Sequence, residues 1–179
     1  LDKLAVFKKE KNADYITGRG WDQNDWEVKV FPTKEKLDKL FPNTPVAIRR
    51  VDGHALLVNE AALKYSGISS TKFPKKVTGG EFIQKNGKLT GILIDAAMDY
   101  IKTPAATKKE AIQGLLDAQK VTFSYGLTTV NDAGLGRETI ELMDSLHKSG
   151  DLKMRIYAMV SAYDQKNIDY YTNKGIIKT

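Results

Sequence analysis

Gly126-Leu127-Thr128-Thr129-Val130-Asn131-Asp132-Ala133-Gly134 is the stretch on which the fold turns. Residues 127–130 read as a short strand, rich in β-branched side chains and closed by two polar residues and a glycine. Upstream, Thr107 and Glu110 stand at capping-box spacing. Ile112, Leu115, Leu116 and Phe123 then fall on one helical face, which Gly126 ends. Downstream, residues 137–148 are predicted helical, with Ile140, Met143 and His147 along one buried stripe. Gly150 stops that helix, residues 154–160 form a second apolar strand, and 164–171 a further helix. Helix–strand–helix–strand–helix with short links defines an α/β fold with parallel strands and helical crossovers. Two such units do not complete a sheet.

The preceding half is less regular. Residues 14–19 and 45–51 read as strands. Residues 33–40 read as a short helix, capped by Thr33 behind Pro32. One or two helical turns over 59–65 should end at Gly67. Residues 81–94 read as a β-hairpin around Asn86-Gly87, a dipeptide that tolerates positive φ. Thr103-Pro104 interrupts helical periodicity, so a mixed α+β unit is expected over 1–102 and the βα units over 103–179.

Composition narrows the function classes. The chain is 41% hydrophobic and 28% charged, with no cysteine, which excludes disulfides, thiolate metal sites and cysteine nucleophiles. No apolar run approaches the roughly 20 residues of a bilayer span, so no membrane association is expected. The net charge of +6 comes from scattered lysines; the arginines are Arg19, Arg49, Arg50, Arg137 and Arg155. Without clustered arginine or an aromatic platform, a nucleic-acid partner is not expected. Compartment is undetermined.

Asp52-Gly53-His54 is the most pointed local feature, an acid and an imidazole on a glycine-permitted turn at a strand end. A hydrogen-bonded packing histidine is the competing reading. Asn131 and Asp132 also close a strand, where an α/β scaffold displays ligand-binding groups, or they form an Asx turn and helix cap. His147 reads as structural. Gly18-Arg19-Gly20-Trp21-Asp22-Gln23 lacks the third glycine and helix of a dinucleotide fingerprint, and Gly79-Gly80 lacks the Lys-Ser/Thr of a P-loop. With only His54 and His147 in the chain, no His-x-His metal pair can occur, and no complete metal site is expected.

Taken in order, several segments resemble one family. They are Gly18-Arg19-Gly20-Trp21-Asp22-Gln23, Phe31-Pro32-Thr33, Arg50-Val51-Asp52-Gly53-His54-Ala55, Gly79-Gly80-Glu81, Thr90-Gly91-Ile92-Leu93 and the stretch from Gly126 to Gly134. The set, spread over residues 13–160, is similar to the YtcJ-type amidohydrolases, the amidohydrolase-3 family that includes N-substituted formamide deformylase. The resemblance implies a metal-dependent hydrolase on a (β/α)8 barrel, of which residues 127–132 and 154–160 would be early strands and 1–102 an insertion unit. It also implies a divalent metal, typically zinc, that activates water for attack on an amide-like small molecule. The family's metal-binding His-x-His would precede Leu1, and its bridging lysine and later ligands would follow Thr179. The chain carries no initiating methionine, opens in mid-helix, and so reads as an internal segment, inactive alone.

Asp52 and His54 are then expected to bind substrate, as are Asn131 and Asp132, with His54 hydrogen-bonding the substrate or the developing oxyanion. Asp95 stands where the family often has glutamate and is given no role. A cut-open barrel would expose apolar faces and a strand edge, so a homodimer is expected. The alternative is a non-catalytic binding domain that has kept this sequence.

Overall fold

A computed structural model describes residues 1–162 and 165–175. The chain divides into two compact units, Leu1–Pro104 and Ala105–Thr179. Among the described residues no helix is long and apolar enough to cross a membrane.

The first unit is a five-stranded mixed sheet. Its elements are helix α1 (Asp2–Lys11), β1 (Ile16–Trp21), α2 (Glu35–Leu40), β2 (Val46–Arg50), β3 (Ala55–Val58), α3 (Glu60–Tyr65), β4 (Gly80–Lys85) and β5 (Lys88–Asp95). Short 3-10 turns cover Gln23–Asp25 and Ala96–Tyr100. The strand order is β1-β2-β3-β5-β4. β1 and β2 run parallel, with Ile16 opposite Val46, and the remaining pairs are antiparallel. The expected hairpin is β4–β5, and Asn86 (φ 52°) and Gly87 (φ 74°) make its turn.

β3 escaped the alternation reading because all four residues, Ala55-Leu56-Leu57-Val58, are buried. Leu56 and Val58 pack with Leu63, Phe82 and Leu93 on one side of the sheet. Leu57 packs with Ile16, Leu37, Phe41 and Ile92 on the other. A strand covered on both faces loses the polar half of its period and shows only a short apolar run. α3 forms where expected because the Asn59 side chain accepts a hydrogen bond from the Ala62 amide.

The second unit holds α4 (Lys108–Ser124), β6 (Thr129–Leu135), α5 (Arg137–Ser149), β7 (Arg155–Val160) and α6 (Gln165–Lys174). Thr107 and Glu110 close a capping box at the start of α4, and Gly150 ends α5 in the left-handed conformation at φ 80°. β6 and β7 pair in parallel, with Val130 opposite Ile156. Met143, Leu146, Leu152 and Met154 form the core, flanked by Ile112, Leu115, Val130 and Ile156.

Three expectations need correction here. β6 does not stop at Val130: pairing with β7 carries it through Asn131, Asp132 and Ala133 to Leu135, with a bulge between Ala133 and Leu135. Asn131, Asp132 and Ala133 are all exposed, so polar residues there do not end the strand. The buried stripe of α5 runs through Met143 and Leu146, whereas His147 is exposed and its Nε2 lies 2.8 Å from the Met154 carbonyl oxygen. Phe123, expected on the inner face of α4, is 39% exposed in its last turn. The helix expected from Asp164 is described from Gln165 onward, and Asp164 lies outside the described residues.

Candidate functional site

Between β2 and β3 the chain turns through Val51-Asp52-Gly53-His54. Gly53 takes φ 88° and its amide bonds the Arg50 carbonyl at 3.0 Å. Asp52 Oδ1 accepts from the His54 amide at 3.0 Å, an Asx turn that sets the direction in which the imidazole leaves the backbone. Three arginines brace the loop. Arg19 bonds the Val51 carbonyl at 2.9 Å, and Arg49 bonds that of Gly53 at 3.2 Å. Arg50 pairs with Asp52 at 2.9 Å and with Asp22 at 3.4 Å.

Asp22 follows β1 and caps the 3-10 turn by accepting from the Asn24 amide at 2.9 Å. That amide, and then Arg50, hold its carboxyl below the usual range against an opposing desolvation effect. The Gly18–Gln23 motif therefore does local work: it delivers one acid to the arginine that fixes the Asp52 turn. Beside it Trp21 contacts Trp26 and Phe31 at ring separations of 6.3 and 6.4 Å.

His54 is not a packing residue: its side chain is 74% exposed. Nδ1 lies 2.7 Å from Asp95 Oδ1, and the Asp95 amide bonds the His54 carbonyl at 3.1 Å. Asp95 ends β5 with φ 46° and ψ −122°, a conformation that glycine favours and that costs another residue roughly 1–3 kcal/mol. The surroundings impose it. Beyond Asp95 the chain doubles back over β4, and the Ala96 amide bonds the Gly79 carbonyl at 3.1 Å.

This close approach explains Gly79-Gly80. A Cβ on Gly80 would lie 2.6 Å from the Ile94 carbonyl oxygen and 2.7 Å from the Ala96 nitrogen, both backbone atoms that cannot swing aside. Gly80→Ala is expected to lower stability by about 2 kcal/mol, as overpacking does, and to disturb Asp95. Chemical denaturation would measure it; a change under about 0.5 kcal/mol would mean the segment yields freely.

The sequence-predicted residues thus fall into two places. Asp52 and His54 share one turn, which Asp22, Arg50 and Asp95 meet from other elements. Asn131 and Asp132 lie on β6 in the other unit, on alternate faces of the strand: Asn131 stands opposite Tyr157 and Asp132 opposite Ala158. Sequence reasoning missed Arg50 and gave Asp95 no role. Among the described residues no three His, Cys, Asp or Glu side chains converge to hold a metal. The donors present therefore do not fit a zinc centre.

The chain superimposes on the crystal structures of an uncharacterized metal-dependent hydrolase from Pyrococcus furiosus and another from Pyrococcus horikoshii. Their TM-scores are 0.62 and 0.64 at 23% and 21% identity, over 99% of this chain and 35% and 34% of theirs. At that identity the likeness carries the fold alone. The family follows from sequence: the amidohydrolase family model matches residues 2–175, and the chain belongs to that family. It is 39% identical over 136 residues to "Putative amidohydrolase YtcJ" of Bacillus subtilis, covering 71% of this chain and 25% of that protein. It is 37% identical over 129 residues to "Protein LONG AFTER FAR-RED 3" of Arabidopsis thaliana, covering 69% and 21%. The chain spans about a quarter or less of the length of these curated relatives.

Proposed function

We propose that this chain is part of a metal-dependent amidohydrolase that cleaves non-peptide carbon–nitrogen bonds in small molecules. In this reading it supplies substrate-side groups, while the metal ligands, for zinc or a similar divalent ion, come from elsewhere in the full-length protein. The observation that carries the reading is the braced Asp52-Gly53-His54 turn in a chain matched by the amidohydrolase family over almost its whole length. Arg19, Arg49 and Arg50 brace the turn, and Asp52 and Asp95 hold its one exposed histidine, which suits a binding site better than a core. The parallel β6–α5–β7 arrangement supports treating these strands as early members of a (β/α)8 barrel. There Asn131 and Asp132, both exposed on β6, are the polar groups that would meet substrate. Asp52 acts through the turn. The exposed face of β6 and β7 is also where self-association of the isolated chain would begin.

The test is release of aniline from formanilide, a simple N-substituted formamide. The zinc-loaded full-length protein is expected to hydrolyse it and the 179-residue chain alone to leave it intact. If the full-length protein binds metal yet cleaves neither formanilide nor other acyl anilides, the hydrolase reading is wrong. If it binds no metal, the non-catalytic binding domain takes its place.

A further inference from the structure

The least explained feature of the molecule is why a non-glycine residue sits at φ 46° and ψ −122° at the end of β5. A surface ion pair is a poor reason, because exposed pairs contribute little to stability. Strained backbone kept by its surroundings points instead to a functional constraint. What Asp95 gains by standing there is one contact, 2.7 Å from its Oδ1 to His54 Nδ1.

That contact has a chemical consequence. A carboxylate can only accept a hydrogen bond, so Nδ1 must carry the hydrogen. In a neutral imidazole the other nitrogen, Nε2, is then a bare acceptor. The Asx turn at Asp52 and the Asp95 amide on the His54 carbonyl fix the backbone at the same point. Imidazole position, ring orientation and tautomer are therefore all set before any ligand arrives.

We infer that Asp95 is a positioning residue that holds His54 in the Nδ1–H form, so that Nε2 meets the substrate as an acceptor and selects amides bearing an N–H. This rests on the amidohydrolase reading above and sharpens it: secondary amides fit the site, and fully N-substituted amides leave Nε2 without a partner. It also separates two roles left open by sequence, because a neutral imidazole held this way cannot donate to an oxyanion.

Two measurements test it together. The chain holds only two histidines, so long-range proton–nitrogen correlation spectra of the 15N-histidine-labelled 179-residue chain assign each ring by comparison with His54→Ala. His54 should show the Nδ1–H pattern. Asp95→Gly, which suits the backbone and spares the fold, should convert it to a mixture, as should Asp95→Asn. In the full-length protein, the ratio of kcat/KM for formanilide to that for N-methylformanilide should fall roughly tenfold in Asp95→Gly, the worth of one modest hydrogen bond. It should fall no further in the His54→Ala/Asp95→Gly double variant than in His54→Ala alone, as for two residues acting as one unit.

A wild-type Nε2–H tautomer, or one indifferent to Asp95→Gly, would overturn the inference. So would a substrate ratio unmoved by Asp95→Gly while His54→Ala collapses it. A locked tautomer in a protein that cleaves neither anilide would instead sink the amidohydrolase reading, leaving the Asp95–His54 pairing in place and removing its substrate role.

Discussion

Asn59→Ala is expected to lower the unfolding free energy of the chain by about 3–5 kcal/mol, the upper end of single-residue effects. Asn59 is fully buried, and its amide is saturated. Oδ1 accepts from the Val46 and Ala62 backbone nitrogens, each at 2.9 Å. Nδ2 donates to the Phe41 carbonyl at 2.8 Å and the Thr44 carbonyl at 2.9 Å. One side chain thus caps α3, starts β2 and anchors the loop between α2 and β2. Alanine would strand two N–H groups beside Val46 and Ala62, both at 0% exposure. Each orphaned buried group costs about 1–3 kcal/mol, and loss of the cap is about 1 kcal/mol of that total. Asn59→Asp should not rescue, because a carboxylate would face two carbonyl oxygens with no donor between them. Urea unfolding with an unchanged m-value would measure the loss. A loss below about 1 kcal/mol would mean that water or local repacking replaces these bonds, and that β2 is not hung from this residue.

The Asn59 case also shows what the sequence could reveal. The helical turns over 59–65 were legible from their neighbours, as were the Thr107–Glu110 box and the Asn86-Gly87 turn, although the cap itself was not singled out. Each is a local hydrogen-bond pattern written within four residues. The other role of Asn59, holding the start of β2 from 13 residues away, leaves no local pattern. The site divides in the same way. The Asp52 turn could be read because the acid, the glycine and the histidine are consecutive. Asp95 could not, because strand pairing brings it to His54 across 41 residues. The course of β6 was misread for a related reason. Asn131 and Asp132 are poor strand residues by propensity, yet the ladder with β7 overrides that preference. β3 was lost because burial on both faces erased the alternation that marks a strand.

The second large effect concerns function. In the full-length protein His54→Ala is expected to lower kcat/KM for formanilide by about 10- to 100-fold, which corresponds to about 1.4–2.7 kcal/mol. The same substitution should change stability by less than about 0.5 kcal/mol, because a side chain 74% exposed has little packing to lose. The division of the loss between constants identifies the role. An acceptor for the substrate N–H works in the bound ground state as well as in the transition state, so its removal should appear chiefly as a higher KM. A donor to the developing oxyanion would act only in the transition state and would lower kcat instead. The contact between Nδ1 and Asp95 favours the first pattern, since in a neutral imidazole it leaves Nε2 with a lone pair rather than a hydrogen. His54→Asn gives an intermediate case: its amide can accept but is not held by Asp95 through a ring, so partial recovery of KM is expected. A fall confined to kcat would reverse the assignment of Nε2. Unchanged kcat/KM in a folded His54→Ala protein would remove His54 from the substrate site altogether.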